Sequence, residues 1–146
     1  MRGKLIAGVC TVAVSLTIVA PAEAARWRGK TKQGRLAAVH TGPDGLISQV
    51  RIRYLARCTD RDVLTGGVQT LPPLDQSATN AFQDAGVFRF RIRGGERARA
   101  TMSIEGGLRR SGRWTGSFRI RVRVTKGGRF VATCRTGRIG WRASPV

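Results

Sequence analysis

Histidine is all but missing from this sequence: His40 is the only one in 146 residues. A relay of nucleophile, base and orienting acid has no second imidazole to draw on. His40 itself ends a short run beside the Gly42 turn, a place for an exposed side chain rather than a general base. Carboxylates are nearly as scarce. The eight are Glu23, Asp44, Asp60, Asp62, Asp75, Asp84, Glu96 and Glu105, scattered over separate segments. A glycan-active enzyme needs two converging carboxyl groups, and no local pattern singles out such a pair, so that reading is remote. Asp60-Arg61-Asp62 starts like a calcium loop, breaks off at once, and reads as a polar turn after Cys58. The nucleophile elbow G-x-S-x-G and the phosphate-cradling patterns G-x-x-x-x-G-K-[ST] and G-x-G-x-x-G are also lacking. The expectation is a protein with no catalytic residue, no metal and no cofactor.

Long hydrophobic runs are lacking too, with one exception at the start. Leu5 to Val19 is a run of 15 residues interrupted by Ser15 and Thr17, behind the basic Met1-Arg2-Gly3-Lys4 and ahead of the small-residue segment Pro21-Ala22-Glu23-Ala24-Ala25. A membrane-spanning helix needs roughly 20 apolar residues. The pattern instead predicts a secretory signal peptide, residues 1–24, cut after Ala24. One exported domain follows, residues 25–146, in the cell envelope or outside the cell. Cys10 leaves with the leader. Of three cysteines, Cys58 and Cys134 remain, and in an oxidising compartment they pair. Closing so long a loop stabilises a fold by roughly 2–4 kcal/mol, mostly through the unfolded chain.

Four Gly-Gly pairs, at 66–67, 94–95, 106–107 and 127–128, and the stretch Gly42-Pro43-Asp44-Gly45 divide the chain as turns, and the runs between them alternate with period two. The inward parities are Val50, Ile52, Tyr54, Ala56, Cys58; then Phe88, Phe90, Ile92; Ala98, Ala100, Met102, Ile104; Trp114, Phe118, Ile120, Val122, Val124; Phe130, Ala132, Cys134; and Ile139, Trp141. Many short strands with glycine turns predict an all-β fold, an antiparallel β-sandwich or a partly closed barrel, with one disulfide. Both cysteines fall on inward parity, as a bridge between strands requires. Over residues 75–86, Ala78, Ala81, Phe82 and Ala85 have helical spacing, which predicts one short helix, with an irregular strand around Phe82 as the alternative.

The ordering Trp27-x-Gly29-x-Thr31-x-Gln33-Gly34, a strand-borne cysteine, and a second cysteine followed by Thr136-Gly137-x-Ile139-x-Trp141-x-Ala143 resembles uncharacterised secreted, arginine-rich, all-β proteins of high-GC bacteria. The resemblance implies secretion and an all-β fold. It brings no catalytic residues with it.

What the exported part has in excess is arginine. Losing Arg2, Lys4 and Glu23 with the leader leaves 25 basic and 7 acidic side chains, a net charge of +18 that attracts polyanions of many kinds. Placement says more than the total. Arg51, Arg53 and Arg57, then Arg89, Arg91 and Arg93, Arg97 and Arg99, and Arg113, Arg119, Arg121 and Arg123 all take outward parity. Two readings stay open: the solvated face of a non-catalytic structural or interaction protein of the envelope, or an anion-binding face made of Arg51, Arg53, Arg89, Arg91, Arg97, Arg99, Arg119, Arg121 and Arg123. The partner of such a face is an anionic envelope polymer bearing phosphate or carboxylate, or a membrane surface. Specific nucleic acid is not expected, since base-stacking modules put aromatics and cations on one face, and here Phe88, Phe90 and Phe118 have the opposite parity to the arginines. What separates the two readings is spatial: whether the arginine strands lie side by side.

Overall fold

A computed structural model describes residues 24–72, 74–77 and 80–146, so the expected leader lies outside the described residues except for Ala24. Ten strands occur among the described residues: β1 (Arg26–Thr31), β2 (Leu36–Thr41), β3 (Ile47–Cys58), β4 (Val63–Thr70), β5 (Asp75–Ser77), β6 (Ala81–Arg91), β7 (Glu96–Leu108), β8 (Trp114–Lys126), β9 (Arg129–Arg135) and β10 (Ile139–Pro145). Every pairing is antiparallel, and no helix occurs among the described residues. The short helix expected over 75–86 is replaced by β5 and the start of β6, which pair as Asp75 to Gln83 and Gln76 to Phe82. Helical spacing of three alanines was a weak signal against a full ladder with β7, from Ala81 opposite Gly107 to Arg91 opposite Arg97.

The sheet turns on two of its long strands, β3 and β8. One edge of β8 pairs with β10 along Trp114–Phe118 and then with β9 along Arg121–Lys126. In the same way, one edge of β3 takes β2 along Ile47–Ile52 and then β9 at Arg57 and Cys58. Hydrogen bonding therefore runs β3-β2-β1-β10-β8 at one end and β3-β9-β8 at the other, and closes in a ring. At the usual strand spacing these paths are about 19 and 10 Å wide. That inequality keeps the sheet from lying flat and curls it round one core. The other edge of β3 carries β4, and that of β8 carries β7, β6 and β5.

Two glutamine side chains finish edges that strands leave open. Gln33 donates from Nε2 to Leu55 O (2.8 Å) and accepts Leu55 N–H at Oε1 (3.0 Å), in the stretch of β3 between its β2 and β9 partners. Gln76 does the same for Ile47, at 3.2 and 3.0 Å, which ties β5 to the start of β3. In each case the side-chain amide stands in for a neighbouring peptide group.

The expected inward residues form this core, including Val50, Ile52, Tyr54, Ala56, Ala100, Phe118, Val122 and Trp141. Phe88 and Phe90 on β6, and Ile92 just past its end, pack against it but stay half-buried. Phe130 is the exception: it is 54% exposed. Val124 pairs with Ala132 while the next residue, Thr125, pairs with Phe130, so Val131 is an extra residue that reverses the parity of β9 before it.

Only two of the Gly-Gly pairs are the turns expected of them. Gly94-Gly95 and Gly127-Gly128 have positive φ and close the β6–β7 and β8–β9 hairpins. The other two lie inside strands, where a bulky side chain takes the space of the missing Cβ. Tyr54 hydroxyl rests over Gly66, and the rings of Phe82 and Trp141 rest over Gly106. Burial raises the Tyr54 phenol above its ordinary pKa.

Cys58 and Cys134 are bonded, directly opposite each other on β3 and β9 with Cα atoms 3.8 Å apart and a sequence separation of 76. Replacing both by Ser is expected to lower the thermal midpoint by about 10 °C, from the loop-closure entropy restored to the unfolded chain; circular dichroism melts of the two forms check it. At Gly106 an alanine Cβ would stand 2.6 Å from both aromatic rings, whereas at Gly86 it meets open space. Gly106→Ala should therefore cost about 1–3 kcal/mol and Gly86→Ala less than about 0.5 kcal/mol in denaturant titrations.

Candidate functional site

Strands β6, β7, β8 and β9 lie side by side in that order from one edge, with the end of β3 beyond β9, and register decides which outward side chains meet. One row crosses the sheet as Arg89, Arg99, Arg123 and Thr133. The next runs Thr101, Arg121, Arg135 and Arg57. On the other side of the first row come Arg91, Arg97, Thr125 and Phe130. Ser103 and Arg119 form a fourth, with Arg119 Nε donating to Ser103 Oγ at 3.0 Å. All the arginines in these rows are exposed.

Neighbours in a row are about 4.8 Å apart, and successive rows about 6.7 Å. Both spacings fall inside the Debye length of about 8 Å at physiological salt, so the positive fields add. Among the described residues no acid occupies these rows, and the nearest ones stand at their ends. Glu96 faces Lys126 across the ladder, and Glu105 is ion-paired to Arg138. Arg123 lays its guanidinium over the Phe130 ring, 5.2 Å from the centroid.

Seven of the nine arginines expected from sequence are brought together here: Arg89, Arg91, Arg97, Arg99, Arg119, Arg121 and Arg123. Arg51 and Arg53 are not. They lie about 13–20 Å further along β3 from Arg57, opposite Gln69 and Gly67 of β4, in the wall of a separate groove of about 400 Å³. Arg93 and Arg113 sit in turns. Arg135 joins the face although sequence reasoning passed it over; the parity that turns Cys134 inward already turns Arg135 outward. Nothing in the sequence signals the bulge that adds Phe130.

Beyond Arg119 the face becomes polar. Asp75, Gln83, Glu105 and Ser117 form one cross-strand row beside a shallow groove of about 630 Å³. Gln83 donates to Asp75 at 2.8 Å, and Ser117 and Arg138 both donate to Glu105. Both carboxylates are exposed and serve as acceptors. Together with Gln83, Ser117 and Arg138 they form a hydrogen-bonded network on the surface. His40 lies on β2 opposite Arg26 and Gln49. No group of three or more metal-ligating side chains occurs among the described residues. Asp60-Arg61-Asp62 is the β3–β4 turn, with Asp60 accepting from Asp62 N–H at 3.2 Å.

Comparison with protein-family models, with curated proteins and with solved structures finds no match.

Arg99 stands between Arg89 and Arg123, a like-charged neighbour on each side. Like charges opposed across a ladder destabilise it, and salt screens them. Arg99→Thr should therefore raise the thermal midpoint in low salt, and the gain should vanish near 1 M salt. A midpoint that falls at low salt would show that the arginine stem's packing outweighs the repulsion.

Proposed function

We propose that this protein is a non-catalytic binding module for anionic polymers of the cell envelope, engaged through the arginine face of β6, β7, β8, β9 and the end of β3. The observation that supports the reading is contiguity. Arginines from five strands occupy one outer surface, and acids are confined to its rim. Self-repulsion on such a surface is relieved by an anion with several charges. A small anion is less suited, because the rows from Arg89 to Phe130 stand exposed on an open sheet; one groove begins at Arg119 and Ser103, at the polar end, and another lies beside β4. An extended chain meets a flat lattice of cations at many points.

Arginine also fits the task better than lysine. Its planar fork grips phosphate or carboxylate through two parallel hydrogen bonds. The Cys58–Cys134 bond is compatible with an oxidising compartment, where envelope polymers are found, and with the export read from the leader sequence.

Each anion neutralised adds somewhat less than one unit to the slope of log affinity against log salt. Long-chain polyphosphate should bind with a steep slope. Replacing Arg119, Arg121 and Arg123 by Ser should weaken binding at low salt and reduce the slope by about 2 units. The same three-charge loss at Arg26, Arg28 and Arg142, exposed on β1 and β10, should reduce it much less. Equal effects from the two triple variants would mean that net charge alone attracts the polymer, and the proposal would fail.

A further inference from the structure

We infer that the corner of this face formed by Phe130, Arg123, Thr125 and Arg97 is a sugar subsite, so that the polymer bound is an acidic polysaccharide with carboxylates on its rings. The inference rests on the binding reading above and narrows it. Its starting point is the bulge. Without the extra residue at Val131, β9 would keep one parity and Phe130 would face inward with Ala132 and Cys134; with it, the ring emerges in the row of Arg91, Arg97 and Thr125. Burying a phenylalanine is among the larger gains open to a small domain, yet this one is 54% exposed.

The ring is also positioned. Arg123 lies over it at 5.2 Å from the centroid, close enough for a cation–π contact that holds both groups in place. Thr125, a short side chain, separates Phe130 from Arg97 in the row. The result is a shallow step, with an apolar ring on one side, forked cations on the other, and a small polar residue between. A uronic acid has matching parts: a C–H face that lies on an aromatic ring, and a carboxylate at the ring edge that an arginine fork can take.

Other polyanions use only part of this corner. Polyphosphate has no apolar face for Phe130 to meet. Single-stranded nucleic acid is bound by aromatics in series, whereas the other aromatic side chains of β6 and β8 face the core, and one side of the Phe130 ring is covered by Arg123.

The test compares Phe130→Ala, Phe130→Trp and wild type for binding to polygalacturonate and to long-chain polyphosphate at matched salt. Phe130→Ala should lose about fivefold to tenfold in affinity for polygalacturonate and less than about twofold for polyphosphate, and Phe130→Trp should keep both. A thermal melt confirms that the exposed substitution leaves the fold intact. Equal losses on the two polymers, or no loss on polygalacturonate, would overturn the sugar subsite and leave the wider binding reading standing. So would a larger loss on oligo-dT or on phosphatidylglycerol vesicles, which would assign the ring to bases or lipid. Wild type that binds neither polymer would sink the binding reading, and the subsite with it.

Discussion

Two register pairs, Arg57 with Arg135 and Cys58 with Cys134, join β3 to β9, and the short path of the ring, together with the place of Arg57 on the arginine face, depends on them. The seam is short, and its outward pair is a repulsive one. A covalent bond sits beside that pair, on the inward side of the same two strands. Thr59 extends the contact, donating from its N–H to Thr133 O and accepting Thr133 N–H at Oγ1. The bridge thus fixes the narrow path of the ring at the point where like charges would otherwise open it. The wide path holds through ordinary ladders and needs no such fastening.

Inside and outside are coupled by the pleat. Ala98, Ala100, Met102 and Ile104 on β7 and Ile120, Val122 and Val124 on β8 turn inward and bury almost completely. Their neighbours in sequence are thereby forced outward, where Arg97, Arg99, Arg121 and Arg123 meet in rows. A slip of one residue in this register would put cations in the core. The burial that stabilises the fold is therefore also what aligns the cations, and the face needs no support of its own beyond the core beneath it.

Much of this was legible in the alternation. The all-β class, the strand faces and the bridge between Cys58 and Cys134 follow from period two and from where the cysteines fall, whereas the meeting of seven of the expected arginines on one surface depends on strand order. Parity fixes the side of the sheet a residue lies on, but not its place within the sheet. That is why Arg51 and Arg53 have the right side and the wrong neighbours: which half of β3 meets β9 is a matter of long-range pairing. Phe130 was hidden for a different reason, since one extra residue inverts parity without changing composition. The in-strand glycine pairs misread as turns because glycine has two uses, positive φ at Gly127 and Gly128 and close ring contact at Gly106, and sequence does not tell them apart.

Among the described residues β6 has no partner on its outer edge beyond Gln83, so a stretch of peptide groups from Asp84 to Arg91 is left open to a further strand. An edge of this kind is a template for aggregation unless something blunts it. Arg89 and Arg91 stand along it, and a second copy approaching edge to edge would bring the same cations with it. The outward charge pattern therefore opposes the pairing of this edge with its own kind, so the side chains that crowd cations onto one face of the sheet also guard its open border.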